Sequence, residues 1–267
     1  MGRPILVSRS RLLGGPMYRA VALSIVLCLA ALSDAETVDP VVQAAYQKAI
    51  DLAREGKQAE AFGIFKNLAE KQYPPALREL GICYELGLGV EKDPVKAYEL
   101  YKKAAALDDS IATRGMGYCH EVGFGAEKNS VEAYKWYLKA ADMGNGQAMH
   151  DVGRFLQGGL AGEKDEKKAF DYYRRSAEAG NRYGLFTYAV ALFNGTNAPQ
   201  DPWLSLKYFH QAAALGDSQS MVWIGYHYQS GATVPVDVDM ARKWYKKAAE
   251  AGNAEGRERL EKLDAKP

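Results

Sequence analysis

Residues 76–105 read ALRELGICYELGLGVEKDPVKAYELYKKAA, and residues 112–141, one step of 36 further on, read ATRGMGYCHEVGFGAEKNSVEAYKWYLKAA. The two superimpose without a gap, matching Ala76 to Ala112, Gly81 to Gly117, Gly87 to Gly123, Tyr101 to Tyr137 and Ala104-Ala105 to Ala140-Ala141. A fixed period of this length marks a repeat architecture, in which a unit buries its apolar face only by stacking on the next. Working outward, the phase holds for five contiguous blocks: 74–109, 110–145, 146–181, 182–217 and 218–253.

The first third of each block reads as a helix. Ala76, Leu80, Gly81 and Tyr84, and then Ala112, Met116, Gly117 and His120, fall at helical spacing on one face. The fourteenth residue is Gly in every block (Gly87, Gly123, Gly159, Gly195, Gly231), as a left-handed helix stop requires. A second helix starts at Asp93-Pro94 and Asp201-Pro202, a side-chain acceptor before a proline at the first helical position, and Asp165 and Asp237 occupy the same cap. Its apolar stripe is Ala97, Leu100, Tyr101, Ala104 and Ala105, repeated as Ala133, Trp136, Tyr137, Ala140 and Ala141 and as Ala241, Trp244, Tyr245, Ala248 and Ala249. Blocks two to five end in Gly plus Asn or Asp, stopping one helix and capping the next. Each block is a helical hairpin.

Residues 36–73 form a degenerate hairpin that caps the amino end: Ala61, Phe65, Leu68 and Ala69 stand 36 residues before Ala97, Tyr101, Ala104 and Ala105, with a shorter turn at Glu55-Gly56-Lys57. Residues 254–267, with Leu260 and Leu263 among charges, read as a closing amphipathic helix.

The pattern Ala-x-x-x-Leu-Gly-x-x-Tyr-x-x-Gly-x-Gly-Val-x-x-Asp, then Ala-x-x-Leu-Tyr-x-x-Ala-Ala, resembles the Sel-one-like repeat family, a branch of the tetratricopeptide superfamily. The resemblance implies an all-α fold, a right-handed α/α solenoid of tandem hairpins. Block four departs from it most, with Gly184 for Ala, Ala189 for Gly and Ser205 for Ala, which predicts local loosening of the repeat.

The first 35 residues differ from the rest. Arg3, Arg9, Arg11 and Arg19 precede a 13-residue apolar run, Ala20–Leu32, and a small-x-small site at Ser33-Asp34-Ala35. This is the pattern of a cleaved signal peptide, and the run is short of the roughly 20 residues of a spanning helix. Met17 offers an alternative start, and Leu27 before Cys28 does not fit a lipoprotein signal. Cleavage predicts an exported, soluble chain, periplasmic if bacterial, without an integral membrane segment. Removal of four Arg and one Asp takes the whole-chain balance of 34 basic to 33 acidic residues down to 30 against 32, a net charge of −2. That balance lacks the basic excess nucleic-acid binding needs. Cys83 and Cys119 fall one repeat apart and are expected as buried thiols, since helices stack at about 8–10 Å.

The sequence carries no pattern for catalysis or for a cofactor. His120, His150, His210 and His227 are nowhere three or four residues apart, and no nucleophile elbow, phosphate loop or dinucleotide fingerprint is present. Glu85 and Glu121, equivalent residues of adjacent blocks, are imaginable as a carboxylate pair but read as solvated acids.

The resemblance places a concave docking face on the first helices, at the second, fifth, ninth and twelfth residues of a block. This nominates Arg78, Arg114, Tyr118, His150, Arg154, Tyr183, Phe186, Val190, Phe193, Val222 and Tyr226. The helix from Tyr183 to Phe193 is apolar nearly all round, and exposed aromatics with Arg nearby are the usual composition of protein hot spots. The expected activity is therefore capture of another protein by a monomeric, non-catalytic scaffold. Among roles the resemblance implies are immunity against lipase effectors of type VI secretion, regulation of envelope signalling or surface polysaccharide, and host interaction; an enzyme hidden in a repeat shell is the remote alternative.

Overall fold

The computed structural model describes residues 39–197 and 199–265, and the expected signal peptide, 1–35, lies outside them. The chain forms two compact units, residues 1–48 and 49–267. Of the first, the structure describes Asp39, whose Oδ1 accepts a hydrogen bond from Val41 N at 2.9 Å, and the opening turns of α1 (Pro40–Arg54).

The second unit contains the end of α1 and twelve further helices: α2 (Gln58–Glu70), α3 (Pro74–Leu86), α4 (Pro94–Ala106), α5 (Ser110–Val122), α6 (Ser130–Asp142), α7 (Gly146–Gly158), α8 (Glu166–Glu178), α9 (Arg182–Asn194), α10 (Pro202–Ala214), α11 (Ser218–Ser230), α12 (Val238–Glu250) and α13 (Ala254–Asp264). From α2 onward each helix packs on the next, and no strand occurs among the described residues. The ten helices α3 to α12 are all 13 residues long, two per repeat.

Local chemistry sets these boundaries. Gly87, Gly123, Gly159, Gly195 and Gly231 stop the first helices with φ between 63° and 79°. The turn is closed by one recurring backbone bond, Asp93 N to Tyr84 O at 3.0 Å, then Asn129 to His120, Asp165 to Leu156, Asp201 to Leu192 and Asp237 to Tyr228. The donors are the same residues whose side chains cap α4, α6, α8, α10 and α12. Gly144, Gly180, Gly216 and Gly252 take left-handed φ at the repeat ends; in repeat one Asp108 does so instead, at φ 57°.

Alanine keeps the helices close and aromatics fill what remains. Ala97, Ala104, Ala133, Ala140, Ala241 and Ala248 are fully buried, as are Tyr137 and Tyr245 to within 1%. Cys83 and Cys119 are buried and free, and burial pushes their thiols up to about 11 and about 12. At the carboxyl end Leu263 is buried and Leu260 packs against the same cluster of Val222, Ala241, Tyr245 and Ala248.

The departures of repeat four are accommodated by packing, Gly184 by Ser176 of repeat three and Ser205 by Ala189 within the repeat. Gly184 faces Ser176, whose Oγ would lie 2.2 Å from a Cβ built there, and Ser176 Oγ donates to Gly146 O at 2.6 Å. Ser205 is fully buried and its hydroxyl donates to Ala189 O at 2.8 Å. A buried hydroxyl with a partner is tolerated where an orphaned one is costly.

Candidate functional site

A hydrogen bond inside four of the five hairpins organises the first-helix face. Tyr101 donates to Glu85 at 2.5 Å, Tyr137 to Glu121 at 2.6 Å, Tyr173 to Gln157 at 2.9 Å and Tyr245 to Gln229 at 2.7 Å. Gly81, Gly117, Gly153 and Gly225 make room for these rings, since a Cβ at each would stand 2.5–2.7 Å from one. Glu85 and Glu121 are therefore half-buried acceptors, not the solvated acids expected from the sequence. Burial alone would raise the Glu121 carboxyl; hydrogen bonds from Arg154 and Tyr137 hold it below the usual carboxylate range.

The nominated arginines are committed within the protein. Arg78 bonds Asp109 at 2.6 Å and Glu79 at 3.0 Å, and Arg114 bonds Asp151 at 2.6 Å. Arg154 bonds Glu121 at 2.8 Å and lies over the Phe155 ring. The Arg78 pairs lie within repeat one, while Arg114–Asp151 and Arg154–Glu121 join repeats two and three, so the guanidinium groups expected to face a partner hold the scaffold together. Tyr118 is exposed, as is Tyr183, which lies under Arg182 and accepts from its Nη2 at 2.9 Å. His150 lies between Tyr173 and Tyr183, and burial, then Arg154 and Arg114, lowers its pKa to about 4.

The ladder breaks in repeat four. Where the other hairpins pair Tyr with Glu or Gln, this one has Phe209 and Phe193, and Ala189 replaces the glycine beside the ring. Phe186 and Val190 are half-buried against the cluster of Ala189, Leu206, Phe209 and Ile224. Val222, nominated as an exposed groove residue, is buried instead. It is 2% exposed, because the covering of the last hairpin by α13 turns this position into core.

Phe193 and Tyr226 do come together, around a residue the sequence reading did not nominate. Trp223 stands edge-on to Phe193 at 5.2 Å and to Tyr226 at 6.0 Å, and Phe193 meets Tyr226 at 6.0 Å. These rings line a cavity of about 190 Å³ with Val222 in its wall and Gln219, Glu255 and Arg259 around it. Trp223 is the sixth residue of its block, where the others have Glu79, Gly115, Asp151 and Thr187; that contrast was the available signal. Glu255 and Arg259 belong to α13, outside the repeat pattern, and were invisible to it.

The polar rim is internally satisfied. Gln219 donates to Glu255 at 2.7 Å, Asn253 donates to Gln219 at 2.9 Å, and Arg259 pairs with Glu255 at 2.8 Å while lying 5.9 Å from the Tyr226 ring centroid. Hydrogen bonding from Gln219 and then pairing with Arg259 hold Glu255 below its ordinary value. Three aromatic walls with a self-neutralised rim suit an uncharged apolar side chain. Among the described residues, no three His, Cys, Asp or Glu side chains are placed to hold a metal, and no helix is long and apolar enough to cross a membrane.

The Sel1 repeat family model matches residues 74–109, 110–145, 146–181, 183–217 and 218–253. The fold is similar to that of a Sel1 repeat protein from Oxalobacter formigenes, at 29% identity and TM-score 0.75 over 83% of this chain and 90% of that one. It is also similar to c5321, a protective antigen present in uropathogenic Escherichia coli strains, at 29% identity and TM-score 0.69 over 84% of this chain and 49% of that one. A third similar structure is the immunity protein Pa5087 of Pseudomonas aeruginosa, at 20% identity and TM-score 0.59 over 83% and 86% of the two chains. No curated protein matches the chain.

Proposed function

Because the chain belongs to the Sel1 repeat family, we propose that it is a non-catalytic scaffold that captures another protein, seating an apolar side chain of that partner between Phe193, Trp223 and Tyr226. The observation that carries this reading is the three-ring groove itself. Half-buried Trp, Tyr and Phe side chains supply large rigid contact area at low entropic cost, and such anchors dominate interface energies. The commitment of Arg78, Arg114 and Arg154 to internal ion pairs moves the docking face away from the first three repeats.

The finer reading is an exported sequestering protein: residues 1–35 direct secretion and are removed, and the groove neutralises a delivered effector enzyme such as a lipase. The basis is the leader pattern and the family's known roles; the fold shared with the Pseudomonas immunity protein is compatible with it. Host interaction is the second reading, motivated by the 29% identity to the E. coli protective antigen.

The test uses the chain from residue 36 as bait against envelope proteins, beside a Phe193→Ala, Trp223→Ala, Tyr226→Ala variant whose helicity is checked by circular dichroism. A defined partner held by the first and lost by the second supports the groove; equal retention by both sinks it. Inhibition of that partner's lipase activity by the intact chain separates sequestration from assembly. A leader fusion to a phosphatase active only after export tests the localisation.

A further inference from the structure

Behind the aromatic groove is a buried histidine in a place where the repeat has no use for one. His227 is fully buried on α11, at the position that Cys83, Cys119, Phe155 and Ala191 hold in the other repeats. Its ring is 5.1 Å from that of Phe193, 5.9 Å from that of Phe209 and 6.4 Å from that of Tyr226, so two of the three groove rings rest on it. Nδ1 lies 2.6 Å from Thr233 Oγ1, which is itself 3.4 Å from Pro202 O at the start of α10. Nε2 is buried and has no hydrogen-bond partner. The neutral ring is tolerable there, one nitrogen paired and the other against aromatic surface. An imidazolium is not, because both of its nitrogens must donate and one finds no acceptor.

The surroundings offer no compensation. From α9 the ring facing it is Phe193, and from α10 Phe209 is followed by His210, whose charge also opposes protonation. His210 meets Trp244 of α12 at 5.2 Å and is itself lowered by burial and by Lys247. From α13 the charged groups are Glu255 and Arg259, already paired with each other.

We propose that His227 is an acid-sensitive latch: taking up a proton from solvent opens the seam between α10 and α11 and takes the Phe193–Trp223–Tyr226 groove apart. A segment held in the groove near neutral pH is then released in acid, a consequence that rests on the docking reading above. The latch itself does not.

The experiment is amide hydrogen exchange on the full chain without any partner, at pH 7.5 and pH 4.5, corrected for the pH dependence of intrinsic exchange, with α3 to α5 as internal reference. Lowering of the His227 pKa from 6.5 to about 4 corresponds to a loss of protection in α11 on the order of fiftyfold between these two pH values. The His227→Phe variant, which leaves nothing to protonate, is expected to keep its α11 protection within roughly threefold. If Phe does not fit, His227→Cys, the residue repeats one and two use here, serves the same purpose. Unchanged protection of α11 in the normal chain, or an equal loss in the variants, overturns the proposal, and neither result touches the question of whether a partner binds.

Discussion

The Tyr137 hydroxyl donates to Glu121 Oε2 at 2.6 Å between the two helices of one repeat, and the same carboxylate oxygen receives Arg154 of the next repeat at 2.8 Å. One half-buried acid thus ties a hairpin together and ties it to its neighbour. Tyr137→Phe removes one donor while leaving the acid in place, and is expected to cost about 1–2 kcal/mol in urea unfolding. Glu121→Gln is expected to cost less, since Gln157 and Gln229 already accept the equivalent bond. An equal or larger loss for the amide would show that the ion pair to Arg154, not the tyrosine bond, carries the effect.

Gly117 has no room for a side chain: its Cβ would stand 2.6 Å from the Tyr137 ring, which is itself fully buried. Gly117→Ala is therefore expected to destabilise by about 1–3 kcal/mol despite the better helix propensity of alanine. Thermal unfolding measures it; a gain in Tm would mean that the ring moves aside at no cost.

Asp108 adopts φ 57° where four of the repeats end in glycine. Asp108→Gly is expected to stabilise by about 0.5–1 kcal/mol, because relief of the left-handed strain exceeds the extra entropy of glycine in the unfolded chain. Chemical denaturation of the single variant decides it, and a loss of stability would show that the aspartate side chain makes a compensating contribution.

Asp151 is 6% exposed and takes its charge partner from Arg114 one repeat away. Arg114→Ala leaves that carboxylate with only the 3.8 Å contact to Arg154, and is expected to cost about 2–3 kcal/mol. The double variant Arg114→Met, Asp151→Leu is expected to recover most of it. Failure of the double variant to recover would place the cost in lost packing and not in an uncompensated charge.

Stability is expected to fall in mild acid. His150 has a folded pKa of about 4 against an ordinary 6.5, owing to burial and then to Arg154 and Arg114, so its neutral form is the one the fold accepts. A depressed histidine adds no penalty above pH 6.5, and the folded state loses ground as the pH falls from there through 4, because the unfolded chain binds the proton first. Asp151, raised by burial, works in the opposite sense below its own pKa and softens the decline. Urea midpoints between pH 7.5 and 4.5 for the normal chain and for His150→Phe measure the share of this one group; identical pH profiles would remove His150 from the account.

What the sequence determined by itself was the repeating local scaffold, but not the recurring tyrosine bond to Glu85, Glu121, Gln157 and Gln229. Period, helix boundaries, caps and the Gly stops follow from local backbone chemistry, which the 36-residue phase printed five times over, and the aromatic-alanine stripe showed which face of each second helix is buried. What only the tertiary structure decided was the use of residues whose partners lie on another element. Arg78, Arg114 and Arg154 looked like a docking surface and turned out to be paired inside the protein, because the carboxylates of Asp109, Asp151 and Glu121 that receive them, 31 to 37 positions away in the chain, are brought within bonding distance only by helix packing. Val222 became core and Trp223 became groove wall for a related reason: α13, which has no counterpart in the repeat, packs over one face of α11 and leaves the adjacent face open. Periodicity fixes which side of a helix is apolar; which apolar residue stays in contact with solvent depends on where the stack ends.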